Sequence, residues 1–151
     1  MAAHLWPDLV QEYLTTHRSF LVSREYPVAD NWEMYPDLLA VDFRAHRVWF
    51  VEITSGDKTK KIETKAQQFE TDIVPRLKRR LVEFGIIPAA DSDWRFGFWA
   101  FVRKAHVDGL RNGMRKGIAK NVKLWKVDAL EEIAFSWSYW DKRRAEEVQT
   151  K

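Results

Sequence analysis

The sequence predicts an α/β domain, a mixed β-sheet flanked by helices with its elements in the order αβββαβαβα. Three observations predict it. Residues 37–54 hold two apolar, β-branched and aromatic runs separated by the polar RAHR, the pattern of a hairpin. From Thr59 to Phe84, apolar residues recur every three or four positions, the period of a helix that buries one face. Beyond that helix, β-prone and helical segments alternate, so helical crossovers add further strands to the hairpin sheet.

In chain order, residues 4–16 place Leu5, Leu9, Val10 and Tyr13 at helical spacing, with Pro7 tolerable in the first turn. The stretch SFLVSREYPV alternates and is followed by turn-forming residues, which gives a first strand at 20–27. The hairpin strands fall at about 37–44 and 47–54. In the long helix, Ile62, Ala66, Phe69, Ile73, Leu77, Leu81 and Phe84 form the apolar stripe, and Pro75, which lacks a backbone donor, bends or splits it. A loop, GIIPAADSD, leads to an aromatic strand at 94–103. Then come a short helix from Ala105 to a glycine stop at Gly117, a strand at 122–127, and a last helix over 128–148 with Asp128 as its N-cap. The aromatic strand WRFGFWAF reads as core, because alternation turns at least one of its faces inward.

A chain of 151 residues fits a single domain spanning 1–151. Its 46% hydrophobic and 14% aromatic content, with eight Trp, suits a packed core. No apolar run reaches the ~18–20 residues needed to cross a bilayer, and the N-terminus lacks a basic-then-apolar leader, so the expected location is cytoplasmic with no membrane partner. The absence of cysteine excludes disulfides, thiol catalysis and Cys-based zinc sites. The four histidines do not occur at HxxxH spacing. A metal in this chain is therefore expected on oxygen ligands, which favours magnesium or manganese. The net charge of +3 is concentrated in two segments, Lys58 to Arg80 and Arg103 to Lys126, a distribution that suits a polyanion acting mainly through phosphate contacts.

The hairpin gives the acids a geometry. If Ala45 and His46 are the two turn residues, paired positions sum to about 91, which puts Asp37 opposite Thr54 and Glu52 one diagonal step away on the same face. Asp42 falls near the turn on the other face and is set aside. Two carboxylates converging at the end of a sheet can hold one or two hard cations, which activate water and stabilise charge on a phosphodiester. Glu52 follows the apolar run VWFV, so it is also an acid placed where burial is expected.

Pro36-Asp37, fifteen residues further Glu52-Ile53-Thr54, and a leading helix and strand together resemble the PD-(D/E)XK, or restriction-endonuclease-like, nucleases. The likeness extends from the first helix to about Val102. It implies a restriction-endonuclease-like fold and Mg²⁺- or Mn²⁺-dependent hydrolysis of DNA. Asp37 and Glu52 would bind the metal, with help from the backbone carbonyl of Ile53 and a further glutamate, Glu12 or Glu25. In the helix after the signature, Gln67 matches a polar position that faces the metal in many members, better than Gln68 does. The likeness also implies a homodimer or a larger nucleic-acid-processing complex, since the chain has no recognisable specificity domain.

One position departs from the family pattern. Where these nucleases carry a lysine that stabilises the charged phosphate, this chain has Thr54, which can donate a hydrogen bond but brings no charge. Lys58, Lys60 and Lys65 follow within one loop or helical turn, and the lysine is known to migrate in this family. The competing expectation is a degenerate domain that binds nucleic acid or a protein partner without cutting.

Overall fold

A computed structural model describes residues 5–18, 20–28, 34–89, 93–113 and 122–135. Helix α1 (Leu5–Glu12) ends in a π-helical turn (Tyr13–His17) and is followed by β1 (Leu21–Arg24), β2 (Leu38–Asp42) and β3 (Arg47–Thr54). Next come α2 (Lys60–Gln67), a second π-helical turn (Phe69–Ile73), α3 (Val74–Glu83), β4 (Arg95–Val102), α4 (Lys104–Gly113), β5 (Trp125–Ala129) and α5 (Leu130–Phe135). The strands form one sheet in the order β1-β2-β3-β4-β5. The β1–β2 and β2–β3 pairs are antiparallel, whereas β3–β4 and β4–β5 are parallel. The protein is thus a mixed α/β fold with helices flanking a five-stranded mixed sheet. No described helix is long and apolar enough to cross a membrane.

Both faces of the sheet are covered, which is why its central strands read as continuous apolar runs rather than as alternation. On one face Leu39, Val48, Phe50, Phe98 and Ala100 pack against Ile62, Ala66, Phe69, Ile73, Leu77 and Leu81 of the α2–α3 arm and against Val107 and Leu110 of α4. On the other, Leu38, Ala40, Trp49, Val51, Trp99 and Phe101 pack against Val10 and Leu14 of the N-terminal helix and Leu130 and Ile133 of α5. The aromatic strand therefore contributes core on both sides. Gly97 pairs with Trp49 across β3–β4, and a Cβ on it would lie 2.5 Å from the Trp49 ring.

The helical arm is divided earlier than the sequence predicts. The break falls at Gln68 and the π-helical turn that follows, and Pro75 sits in the first turn of α3, where no backbone donor is needed. The extra residue in the turn resets the helical phase and keeps both Phe69 and Ile73 fully buried. Phe84, expected on the stripe, is instead exposed. It lies at the helix end, where Gly85 has φ +70° and the Ile86 and Gly85 N–H groups donate back to the carbonyls of Leu81 and Val82, the Schellman arrangement.

Other boundaries also move. The first strand stops at Arg24 rather than 27, because Glu25 takes φ +45°, a left-handed conformation that a strand cannot continue. The second strand covers Leu38–Asp42 rather than 37–44. The last strand starts three residues later and ends two later than expected, at Trp125–Ala129, and Asp128 does not cap a helix: it lies within β5, where its carboxylate accepts the Trp99 indole N–H at 2.7 Å. The parts of the expected helices at 114–117 and 136–148 lie outside the described residues.

Candidate functional site

The β2–β3 turn sets the geometry of the acids. It contains four residues, Phe43 to His46, not two, and Asp42 pairs with Arg47, so partners sum to 89. The physical cause is local. The Asp42 carboxylate accepts the backbone N–H groups of Arg44 and Ala45 at 3.0 and 3.1 Å, and His46 closes the turn at φ +53° while stacking on Trp94. This register differs from the expected one by two residues, so every side chain keeps its face but slides along it. Continued one step beyond β2, the register sets Asp37 directly opposite Glu52 rather than on a diagonal. Asp42 serves the turn.

Asp37 is clamped from two sides. Its Oδ2 accepts the backbone N–H of Ile53 at 2.8 Å, beyond the last β2–β3 pair of Leu38 with Val51, and its carbonyl accepts the N–H of Glu25 at 3.2 Å. Glu52, only 2% exposed, accepts a hydrogen bond from the ammonium of Lys65 and lies across from the Asp37 carboxyl. Lys65, itself only 7% exposed, also donates to the Tyr35 carbonyl at 2.9 Å and lies 5.8 Å from the Phe50 ring centroid. One lysine thus ties α2 to the segment before Asp37 and to the middle of the sheet.

Burial, and after it the neighbouring Asp37 charge, push the Glu52 carboxyl up to about 8, against the opposing pull of Lys65. A carboxyl raised in this way holds its proton into the neutral range, and a cation could displace that proton by taking its place.

No known protein family, curated protein or solved structure matches the chain.

The two acids are hard oxygen donors on adjacent strands, a set that fits magnesium or manganese. Among the described residues, no third His, Asp or Glu joins them to make a group of three. Glu12 is exposed on α1, against the opposite face of the sheet, and accepts the Thr16 hydroxyl at 2.7 Å. Glu25 is a backbone neighbour of Asp37, with its side chain in solvent. Ile53 takes part through its N–H. Thr54 ends β3 on the same face as Glu52 and is paired with Val102 of β4.

Of the candidate lysines, Lys58 and Lys60 are exposed in the loop after β3 and at the start of α2, and Gln67 and Gln68 are exposed at the end of that helix. Lys65 alone among these is brought to the acids. The sequence carries a signal of its burial, though not of its partner: Lys65 lies three residues after Ile62 and four before Phe69, inside the apolar stripe.

Proposed function

We propose that the chain is a metal-dependent DNA endonuclease of restriction-endonuclease-like fold, with Asp37 and Glu52 as metal ligands and Lys65 in the role that Thr54 cannot fill. The observation that carries this reading is the buried Lys65 ammonium on Glu52, across from Asp37. The order of two antiparallel and two parallel strand pairs, with both acids on the central hairpin, supports it.

In this reading, Asp37 and Glu52 hold Mg²⁺ or Mn²⁺ through carboxylate oxygens. When bound, the cation supplies Lewis-acid stabilisation and a water of lowered pKa. Ile53 fixes the Asp37 carboxylate through its N–H, so that acid arrives oriented. Glu52 would release its proton to solvent as the cation takes its place, and Lys65, held by the Tyr35 carbonyl, keeps a positive charge beside the carboxylate pair as charge builds on the phosphodiester. Exposed Lys58, Lys60 and Lys61 lie in the same stretch of chain and offer phosphate contacts to the approaching backbone.

Digestion of supercoiled, linear, single-stranded and branched DNA with Mg²⁺ or Mn²⁺ tests this reading. Cleavage should fall by roughly 10²–10³-fold in Asp37→Asn and in Lys65→Met, the scale of losing one charge stabiliser in an enclosed site. Thermal melts of each variant separate lost chemistry from lost folding. Cleavage undiminished in folded Asp37→Asn would sink the assignment.

A second reading is a non-cleaving module that binds nucleic acid or a protein partner, alone or in a complex. It is favoured by the mutual satisfaction of Asp37, Glu52 and Lys65 as a closed polar cluster beside the core. It predicts salt-sensitive binding without metal-dependent cleavage, and binding indifferent to Asp37→Asn.

A further inference from the structure

A second polar site lies at the β5 edge of the sheet, reaching onto the Trp99 face and away from Glu52. A cavity of about 390 Å³ is lined there by Tyr13 and Arg18 from the end of the N-terminal arm, Trp99 of β4, Arg111 of α4, and Lys126 and Asp128 of the edge strand β5. Three of these six residues are cationic and one is acidic. The acid is already engaged by the Trp99 indole N–H.

The cations converge on the same surface. The Lys126 ammonium lies 4.8 Å from the Trp99 ring centroid and 5.2 Å from that of Trp49, and the Arg18 guanidinium lies 5.7 Å from Trp99. Ring faces offset part of this charge, but gathering like charges around a half-buried ammonium remains costly in water-poor surroundings. Lys126 registers that cost: its pKa is lowered first by burial and then by Arg18, with Arg47 adding to the effect and Asp128 and Asp42 opposing it. An anion seated between Arg18 and Lys126 would relieve it. Arg111 spends one N–H on the Val127 carbonyl at 2.7 Å and keeps further donors on its fork.

We infer that this cavity binds a small ligand by a phosphate group, held by Arg18, Lys126 and Arg111. The excess of two positive charges among the lining residues suits a dianion, and guanidinium forks match phosphate oxygens in pairs. A volume of about 390 Å³ falls within the ~300–1,000 Å³ of small-molecule pockets, enough for a phosphate monoester. The site does not depend on the nuclease reading, and neither Asp37 nor Glu52 takes part in it.

The test titrates the full-length, ¹⁵N-labelled chain with inorganic phosphate and, separately, a nucleoside 5′-monophosphate at constant ionic strength. The reporter is the Trp99 indole N–H. Saturable displacement of that resonance by either ligand is expected, with Arg18→Gln and Lys126→Gln each weakening binding by roughly tenfold or more. Stronger binding of the monoester assigns the organic body to the cavity, and equal binding assigns the phosphate alone; both outcomes uphold the site. Absence of saturable displacement overturns it, as does displacement reproduced by chloride or left unchanged in both variants. The backbone amide spectrum of each variant establishes that it is folded.

Discussion

Replacing Glu52 with glutamine isolates the proton that burial and the Asp37 charge hold on Glu52. Glutamine has the shape of the protonated acid: its carbonyl can accept from Lys65, the contact Glu52 makes. Folded Glu52 holds its proton to about 8, against an ordinary value of 4.5 in the unfolded chain, so the folded state binds more protons between those values. Wild-type stability from this group is therefore fully present below about 4.5 and is lost as pH rises through about 8. At ~1.36 kcal/mol per pH unit, the wild type should lose roughly 2–3 kcal/mol between about pH 5.5 and 7.5, while Glu52→Gln loses none of it. Urea unfolding followed by tryptophan fluorescence at the two pH values measures this. The variant should match the wild type at the lower pH and exceed it at the higher, with unchanged m-value. A difference that is flat with pH, or a wild type that gains stability over this interval, would show that Lys65 keeps Glu52 ionised in the fold and would refute the proton held on Glu52.

Four further outcomes follow from the same structure. Because a cation and the proton compete for Glu52, saturating Mn²⁺ should raise the melting temperature more at about pH 8 than at about pH 6, and Asp37→Asn should abolish the increment, as read by differential scanning fluorimetry. Gly97→Ala places a methyl 2.5 Å from Trp49 between paired strands and should cost about 2 kcal/mol or more in chemical denaturation; a loss below about 0.5 kcal/mol would contradict the packing. Asp42→Ala removes the acceptor for two turn N–H groups and should cost about 1 kcal/mol without changing metal-dependent cleavage, measured by melts and digestion in parallel. Glu12→Gln, altered on the opposite face of the sheet, should leave Mn²⁺ affinity by calorimetry within about twofold of the wild type, a factor of two being only ~0.4 kcal/mol.

Several determinants of the site could be read from residue order alone. Strand periodicity put Asp37 and Glu52 on one face and Asp42 on the other, and this survived the error in turn length because a shift of two residues preserves parity. The apolar stripe of the helical arm identified six of the residues that bury its face, and the hydrophobic run before Glu52 marked that acid for burial. These are local properties, fixed by the two-residue period of a strand and the 3.6-residue period of a helix.

What required the tertiary structure was every quantity set by contacts distant in sequence. The register came from Asp42 bonding across a four-residue turn, which moved Asp37 from a diagonal to a facing position. The choice among Lys58, Lys60 and Lys65 came from how the α2–α3 arm docks on the sheet, because only docking turns one stripe position toward Glu52. Glu12 was separated from the acids because α1 packs on the other face, a matter of which side of the sheet a helix covers and not of its own pattern. The cationic cavity at β5 joins residues from the N-terminal arm, β4, α4 and β5, and no spacing within any one of these segments encodes their meeting.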